Sequence, residues 1–208
     1  NASDKPSEPR FDLSGHPRGR TVHEETLGLT PARLRGIAES DGDILVYVDD
    51  DNLLAPDYLQ RAHALLAAHP ELAAIGAGAL EPEFAVPPSP ELQPHLALLA
   101  LRSRPTAGWS RDPSNAACVP WGAGLCVTRE AARACVQLVA QLDRHGMLDR
   151  RGQRLFGNGD VAFSWAATRL GKGFGIFPEL RAIHLIRAER LTQQYFLRMV
   201  FDSTFSNT

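Results

Sequence analysis

Residues 42–52, GDILVYVDDDN, set an apolar run directly against three carboxylates. Ile44 to Val48 lack the polar alternation of a half-exposed strand, so they predict a strand covered on both faces. Asp49, Asp50 and Asp51 follow at once, and like charges this close raise one another's pKa unless a cation compensates them. Aspartates at a strand end can bind a hard divalent ion through oxygen, above all one that also carries substrate phosphates. The plainer alternative is an exposed loop tip, with Asp51 or Asn52 capping the next helix.

Outward from this stretch, the sequence alternates between helix and strand patterns. Upstream, residues 1–20 read as polar loop, and a short amphipathic helix follows with Thr30 as N-cap and Pro31 in its first position. Downstream, 57–68 has apolar residues at helical spacing, 73–78 reads as a second strand, and the prolines of 81–93 predict an irregular excursion. A helix is expected over 129–142, capped by Thr128, and another over 161–170, closed by Gly171. A short strand at 174–177 and a last helix at 189–199 complete the pattern. Such alternation predicts an α/β sandwich with a mostly parallel central sheet, whose ligands sit outside the carboxyl ends of the strands. The Asp cluster falls at such an end.

With 208 residues, 44% of them hydrophobic, the chain can bury one core without staples. A formal net charge of -2 argues against a nucleic-acid-binding surface. Cys118, Cys126 and Cys135 have no metal-type spacing and fit a reducing compartment as buried small hydrophobes. The longest apolar stretch, 95–101, is far short of the ~20 residues of a spanning helix. The expected location is cytoplasmic, with the inner face of a membrane as a peripheral site.

Two further features bear on chemistry. Gly157-Asn158-Gly159-Asp160 is a tight turn opening a helix, where Asp160 is either a plain N-cap or a general base at the rim of a cleft. His184 follows a strand; a lone histidine is usually a packing or surface residue, but imidazole is also a suitable partner for carboxylates around Mn²⁺.

Four blocks in order carry a resemblance: GLTPARLRGIA at 28–38, GDILVYVDDDN, PWGAGLCVTRE at 120–130, and GNGDVAFSWAATRLGKGFGIFPELRAIHL at 157–185. Together they resemble family-2 glycosyltransferases of the GT-A fold, a Rossmann-like α/β/α sandwich. The resemblance implies one domain over 1–208: the remainder of a nucleotide-sugar half over 1–80, an acceptor half over 81–188, and a C-terminal helix and tail over 189–208. It implies metal-dependent, inverting transfer of a sugar from a nucleoside-diphosphate donor, a UDP-sugar by preference, to a hydroxyl of a glycan or lipid-linked acceptor. Asp49 and Asp51 match the outer carboxylates of the family's D-x-D motif. Asp51 would ligate Mn²⁺ or Mg²⁺, and Asp49 would face the ribose or share the ion. Arg33 matches a basic residue near the nucleotide, Asp160 the catalytic base, and His184 a histidine close to the metal.

The sequence also departs from the family pattern. Gly159 stands where a Glu is usual and Leu34 where an Asn is common. Asn1-Ala2-Ser3 resembles the loop after the family's second strand, so the first strand is expected to lie outside this chain, the sheet edge being completed elsewhere. Trp109 and Trp121 are offered to the acceptor side, where their faces suit sugar rings, with simple packing as the alternative. The last helix is expected to dock on the domain, a partner copy or a membrane surface being its other possible contacts. Two other functions stay open: a non-catalytic binding module of this fold, and a D-x-D phosphohydrolase. The second is disfavoured by Asn52-Leu53 after the motif.

Overall fold

The computed structural model of the protein describes residues 13, 15–142 and 159–206. In chain order the elements are α1 (Leu29–Glu39), β1 (Ile44–Tyr47), β2 (Asn52–Leu54), α2 (Tyr58–Ala68), β3 (Leu72–Phe84), β4 (Arg102–Ser103), β5 (Gly108–Ser110), β6 (Leu125–Thr128), α3 (Arg129–Leu142), α4 (Val161–Arg169), β7 (Gly173–Ile186) and α5 (Gln193–Ser206). Short 3-10 turns lie at Gln93–Leu99, Ala116–Cys118 and Ala188–Arg190.

Over Ile44–Tyr47, β1 behaves as its apolar sequence requires, whereas Val48, expected in the same covered strand, lies beyond its end and is exposed. Leu45 and Tyr47 face a cluster formed with α1, α3 and α4, including Ile37, Leu138 and Phe163. Ile44 and Val46 face the opposite cluster, in which Tyr58, Ala62 and Leu66 of α2 pack on Ile75 and Phe177. Alternate residues of a strand point to opposite faces, so a strand apolar throughout needs helices on both sides. The result is a three-layer, mixed α/β sandwich of the GT-A, Rossmann-like kind.

The sheet runs β1-β6-β3-β7-β2, with β4 added on β3 and β5 on β7. β6 is antiparallel to both β1 and β3, whereas β3 and β7 are parallel. β1, β3 and β7 therefore run the same way, as the expected parallel sheet requires. Among adjacent pairs of described strands, however, only β3–β7 is parallel, because β6 inserts against the common direction. Within the described residues β1 is the last strand on its side.

Several boundaries differ from expectation, each for a local reason. α1 starts at Leu29 after Gly28 (φ 139°), so Pro31 sits within its first turn, where a missing N–H is harmless. β3 extends to Phe84 through Pro82, although the proline-rich stretch predicted irregular chain from 81. β4 flanks β3 only at Ala79 and Leu80, so Pro82 lies where the strand has become an edge on that side. β7 likewise passes Pro178 by an irregularity, its register stepping from Phe177 to Arg181 while β3 steps from Ala77 to Ala79. The last helix begins later than expected, because Thr192 Oγ1 accepts from the backbone N–H of Tyr195 at 3.3 Å and caps a new start. The opening residues 1–12 and the Gly157-Asn158 part of the tight turn lie outside the described residues.

Candidate active site

The acidic turn leaves β1 and returns as β2. The Asp49 carbonyl accepts from the N–H of Asn52 at 3.1 Å, and the Asp51 carbonyl from that of Leu185 at 2.8 Å. β2 pairs with the far half of β7, setting Asn52 opposite His184. Strand register thus fixes His184 beside the turn, 133 residues on in sequence from Asp51. His184 is 5% exposed, and its Nε2 lies 3.4 Å from Asp51 Oδ2.

A third group joins them. Arg190 Nη1 donates to Asp51 Oδ2 at 2.8 Å and lies 2.9 Å from His184 Nε2. A guanidinium can only donate, so in that contact Nε2 accepts. Three buried atoms around the cluster have no hydrogen-bond partner: Asn52 Oδ1, His184 Nδ1 and Arg190 Nε. Asp50 points elsewhere, at 4.0 Å from Arg187 in an exposed pair.

The second acidic position is built on a different loop. Asp160 caps α4, its Oδ1 accepting from the N–H of Val161 at 3.0 Å and its Oδ2 from that of Gly122 at 3.2 Å. The Gly122–Gly124 loop is in turn tied to β1, because the Gly124 N–H donates to the Tyr47 carbonyl at 3.0 Å. Asp160 therefore belongs to the same carboxyl end of β1 as the Asp turn. Arg33, on α1, is 7% exposed and ends against Gly122: a Cβ there would lie 2.0 Å from its Nη2. Its guanidinium also lies 5.9 Å from the Tyr47 ring centre. A side chain at 122 would have to displace this guanidinium.

The tryptophans differ in setting. Arg102 lies 3.6 Å over the Trp121 ring and donates to the Val119 carbonyl at 3.1 Å, so one face of Trp121 is already covered. Burial pushes the Arg102 pKa down to about 10, which keeps it cationic at neutral pH. Trp109 is half exposed on β5 opposite Gly175, nine positions before His184 on β7. Gly159 is partly buried in the turn before α4.

Asp51 and His184 are the two side chains that could share one divalent ion. Among the described residues no group of three or more His, Cys, Asp or Glu side chains converges, so Asp49 does not complete such a set with them. One carboxylate oxygen and one imidazole nitrogen suit an ion that takes its remaining ligands from phosphates and water.

Residues 8–99 match the family model described as glycosyl transferase family 2. Over that segment, less than half of the chain, the protein is similar to glycosyl transferase family 2. The family implies glycosyl transfer between a nucleotide-sugar donor and an acceptor in general terms. No curated protein matches the chain. The family-2 match takes in α1, the acidic turn and all of β3, with Arg33, Asp49 and Asp51; Asp160, His184 and Arg190 lie beyond it. No described helix is long and apolar enough to cross a membrane.

Arg190 was not distinguishable in the sequence as a site residue. It sits among Arg187, Arg190 and Arg198 near an apolar helix, and nothing in their spacing selects one. Gly122 carries only a weak signal in the sequence, its place in a Trp-Gly-Ala-Gly loop running into a strand.

Proposed function

We propose that the protein is a metal-dependent, inverting glycosyltransferase moving a sugar from a nucleoside-diphosphate donor to an acceptor hydroxyl. The observation that carries this reading is the meeting of Asp51, in the turn entering β2, with His184 on the paired strand β7, at the sheet end that also holds Asp160. A divalent cation, Mn²⁺ or Mg²⁺, would be held by Asp51 and His184 and would supply charge stabilisation to the departing diphosphate. Asp49, two residues earlier, would face the ribose. Arg33 adds positive charge behind the Gly122 loop.

Asp160 would take the proton from the acceptor hydroxyl, which is a weak nucleophile without a base. Each of its oxygens accepts one backbone N–H, and a carboxylate has about four acceptor sites in all, so capacity is left for an acceptor O–H. The two N–H bonds fix the carboxylate's orientation. A UDP-sugar is the favoured donor, with a glycan or lipid-linked hydroxyl as acceptor. The three free, buried thiols support a reducing compartment.

A second reading is a binding module of the same fold without turnover. It is favoured by the engagement of Asp160 as a helix cap and loop tether, a role that needs no catalysis. One experiment separates the two. The full-length protein is incubated with a panel of nucleotide sugars and Mn²⁺, and donor binding and nucleoside diphosphate release are followed. Asp51→Ala is expected to abolish metal-dependent donor binding. Asp160→Asn is expected to retain donor binding and the Val161 cap, to lose the Gly122 N–H bond because an amide nitrogen cannot accept, and to lower transfer at least about 100-fold. Full transfer by Asp160→Asn would refute the base assignment. Donor binding by the wild type without release would favour the binding module.

A further inference from the structure

Arg190 stands where a cation shared by Asp51 and His184 would have to bond. Its Nη1 is 2.8 Å from Asp51 Oδ2 and 2.9 Å from His184 Nε2, the two acceptors being 3.4 Å apart. A divalent ion would use the same lone pairs at about 2.0–2.2 Å. The Asp51 carboxylate has acceptor sites to spare, but Nε2 of His184 has one lone pair, which the guanidinium and the ion cannot share.

The parts differ in how far they can yield. His184 is 5% exposed and is fixed by the β2–β7 register, and the Asp51 backbone is bonded to Leu185. Arg190 ends a three-residue 3-10 turn between β7 and α5, with its side chain 23% exposed. Arg187, one turn earlier, reaches Asp50 only at 4.0 Å and in solvent. The segment 187–190 thus lies over the acidic turn like a strap, touching its carboxylates through one firm contact and one loose one. Nε of Arg190 is buried without a partner, so the firm contact uses only part of the guanidinium's donor capacity.

We infer that Arg190 is a resident counter-ion of the Asp51–His184 pair, displaced when a divalent cation binds there, so that cation binding is coupled to release of the 187–190 strap. This inference rests on the metal-dependent reading above. The competing state lowers apparent cation affinity by the fraction of molecules in which the strap is closed. Charge-assisted hydrogen bonds keep that fraction high without donor.

The test titrates Mn²⁺ alone into the full-length protein, with free Mn²⁺ followed by electron paramagnetic resonance. Arg190→Gln is expected to bind Mn²⁺ at least about tenfold more tightly than wild type. Arg190→Lys, a point charge without the planar fork, should fall between them. Arg187→Gln should match wild type. Hydrogen exchange gives an independent measure: saturating Mn²⁺ should speed exchange of amides over 188–196 in wild type, but not in Arg190→Gln. Circular dichroism confirms that each variant is folded. Equal or weaker Mn²⁺ binding by a folded Arg190→Gln, with wild-type binding intact, overturns the counter-ion while leaving the metal-dependent reading standing. No Mn²⁺ binding by any form, with or without UDP, overturns both.

Discussion

Tyr58 and Gly124 show how a single contact sets the loop that carries the site. The Tyr58 hydroxyl donates to the Gly124 carbonyl at 2.5 Å, and Gly124 has φ 77°, a conformation side chains resist. A Cβ on Gly124 would lie 2.5 Å from that hydroxyl and 3.0 Å from the ring carbon bearing it. Tyr58→Phe removes one buried hydrogen bond and should cost about 1 kcal/mol. Gly124→Ala adds backbone strain to the clash and should cost about 2–3 kcal/mol. The hydroxyl is the nearest obstacle to the new methyl, so the double variant should be less destabilised than the sum of the two. Urea denaturation of the four proteins measures that coupling, expected at about 0.5 kcal/mol or more. Strict additivity would mean that the strain at Gly124 is all backbone.

At the scale of elements, the parallel pair β3–β7 is the spine of the sheet, and Gly78 is its tightest point. A Cβ there would lie 2.5 Å from the Phe177 carbonyl carbon and 2.6 Å from both its oxygen and the Pro178 nitrogen. These are backbone atoms and cannot swing aside. Gly78→Ala should therefore separate the strands at the register shift and cost about 3 kcal/mol or more, read as a lowered urea midpoint. This junction explains what the sequence disclosed and what it withheld. Ile44 to Val48 announced a doubly covered strand, and helical spacing announced α2, α3 and α4, because those patterns are local. Asp51, His184 and Asp160 could be proposed because their residue types and the block order carry chemistry. The length of β3 and β7 could not be read, because Pro82 and Pro178 oppose strand structure locally and are tolerated only at an edge and at a register shift. Arg190 was hidden for the opposite reason: an arginine is acceptable almost anywhere on a surface, and only the β2–β7 pairing brings Asp51 to it.

For the whole molecule, two thiols report whether the layers behave as one unit. Cys126 lies in the cluster beneath α2 and Cys135 in the cluster of α1, α3 and α4, on opposite faces of the sheet. Burial pushes each thiol from an ordinary 9.0 up to about 12. A group whose folded pKa is raised contributes fully below its unfolded value and loses that contribution as pH rises towards the folded one. Both thiols therefore leave stability untouched up to about pH 9 and erode it from there to about 12. The slope is about 1.4 kcal/mol per pH unit for each thiol, or about 4 kcal/mol for the pair at pH 10.5. Tyr58, also raised by burial, works in the same direction above its ordinary 10.0. Urea midpoints between pH 8 and 10.5 should fall accordingly. Cys126→Ala and Cys135→Ala should each lower stability at pH 8 by about 1 kcal/mol, yet each should flatten the alkaline decline by one thiol's share. If both variants flatten one and the same transition, the layers on the two faces unfold together and the sheet between them is the cooperative unit. A curve for either variant that stayed parallel to wild type would mean that its thiol already meets solvent before the sheet comes apart.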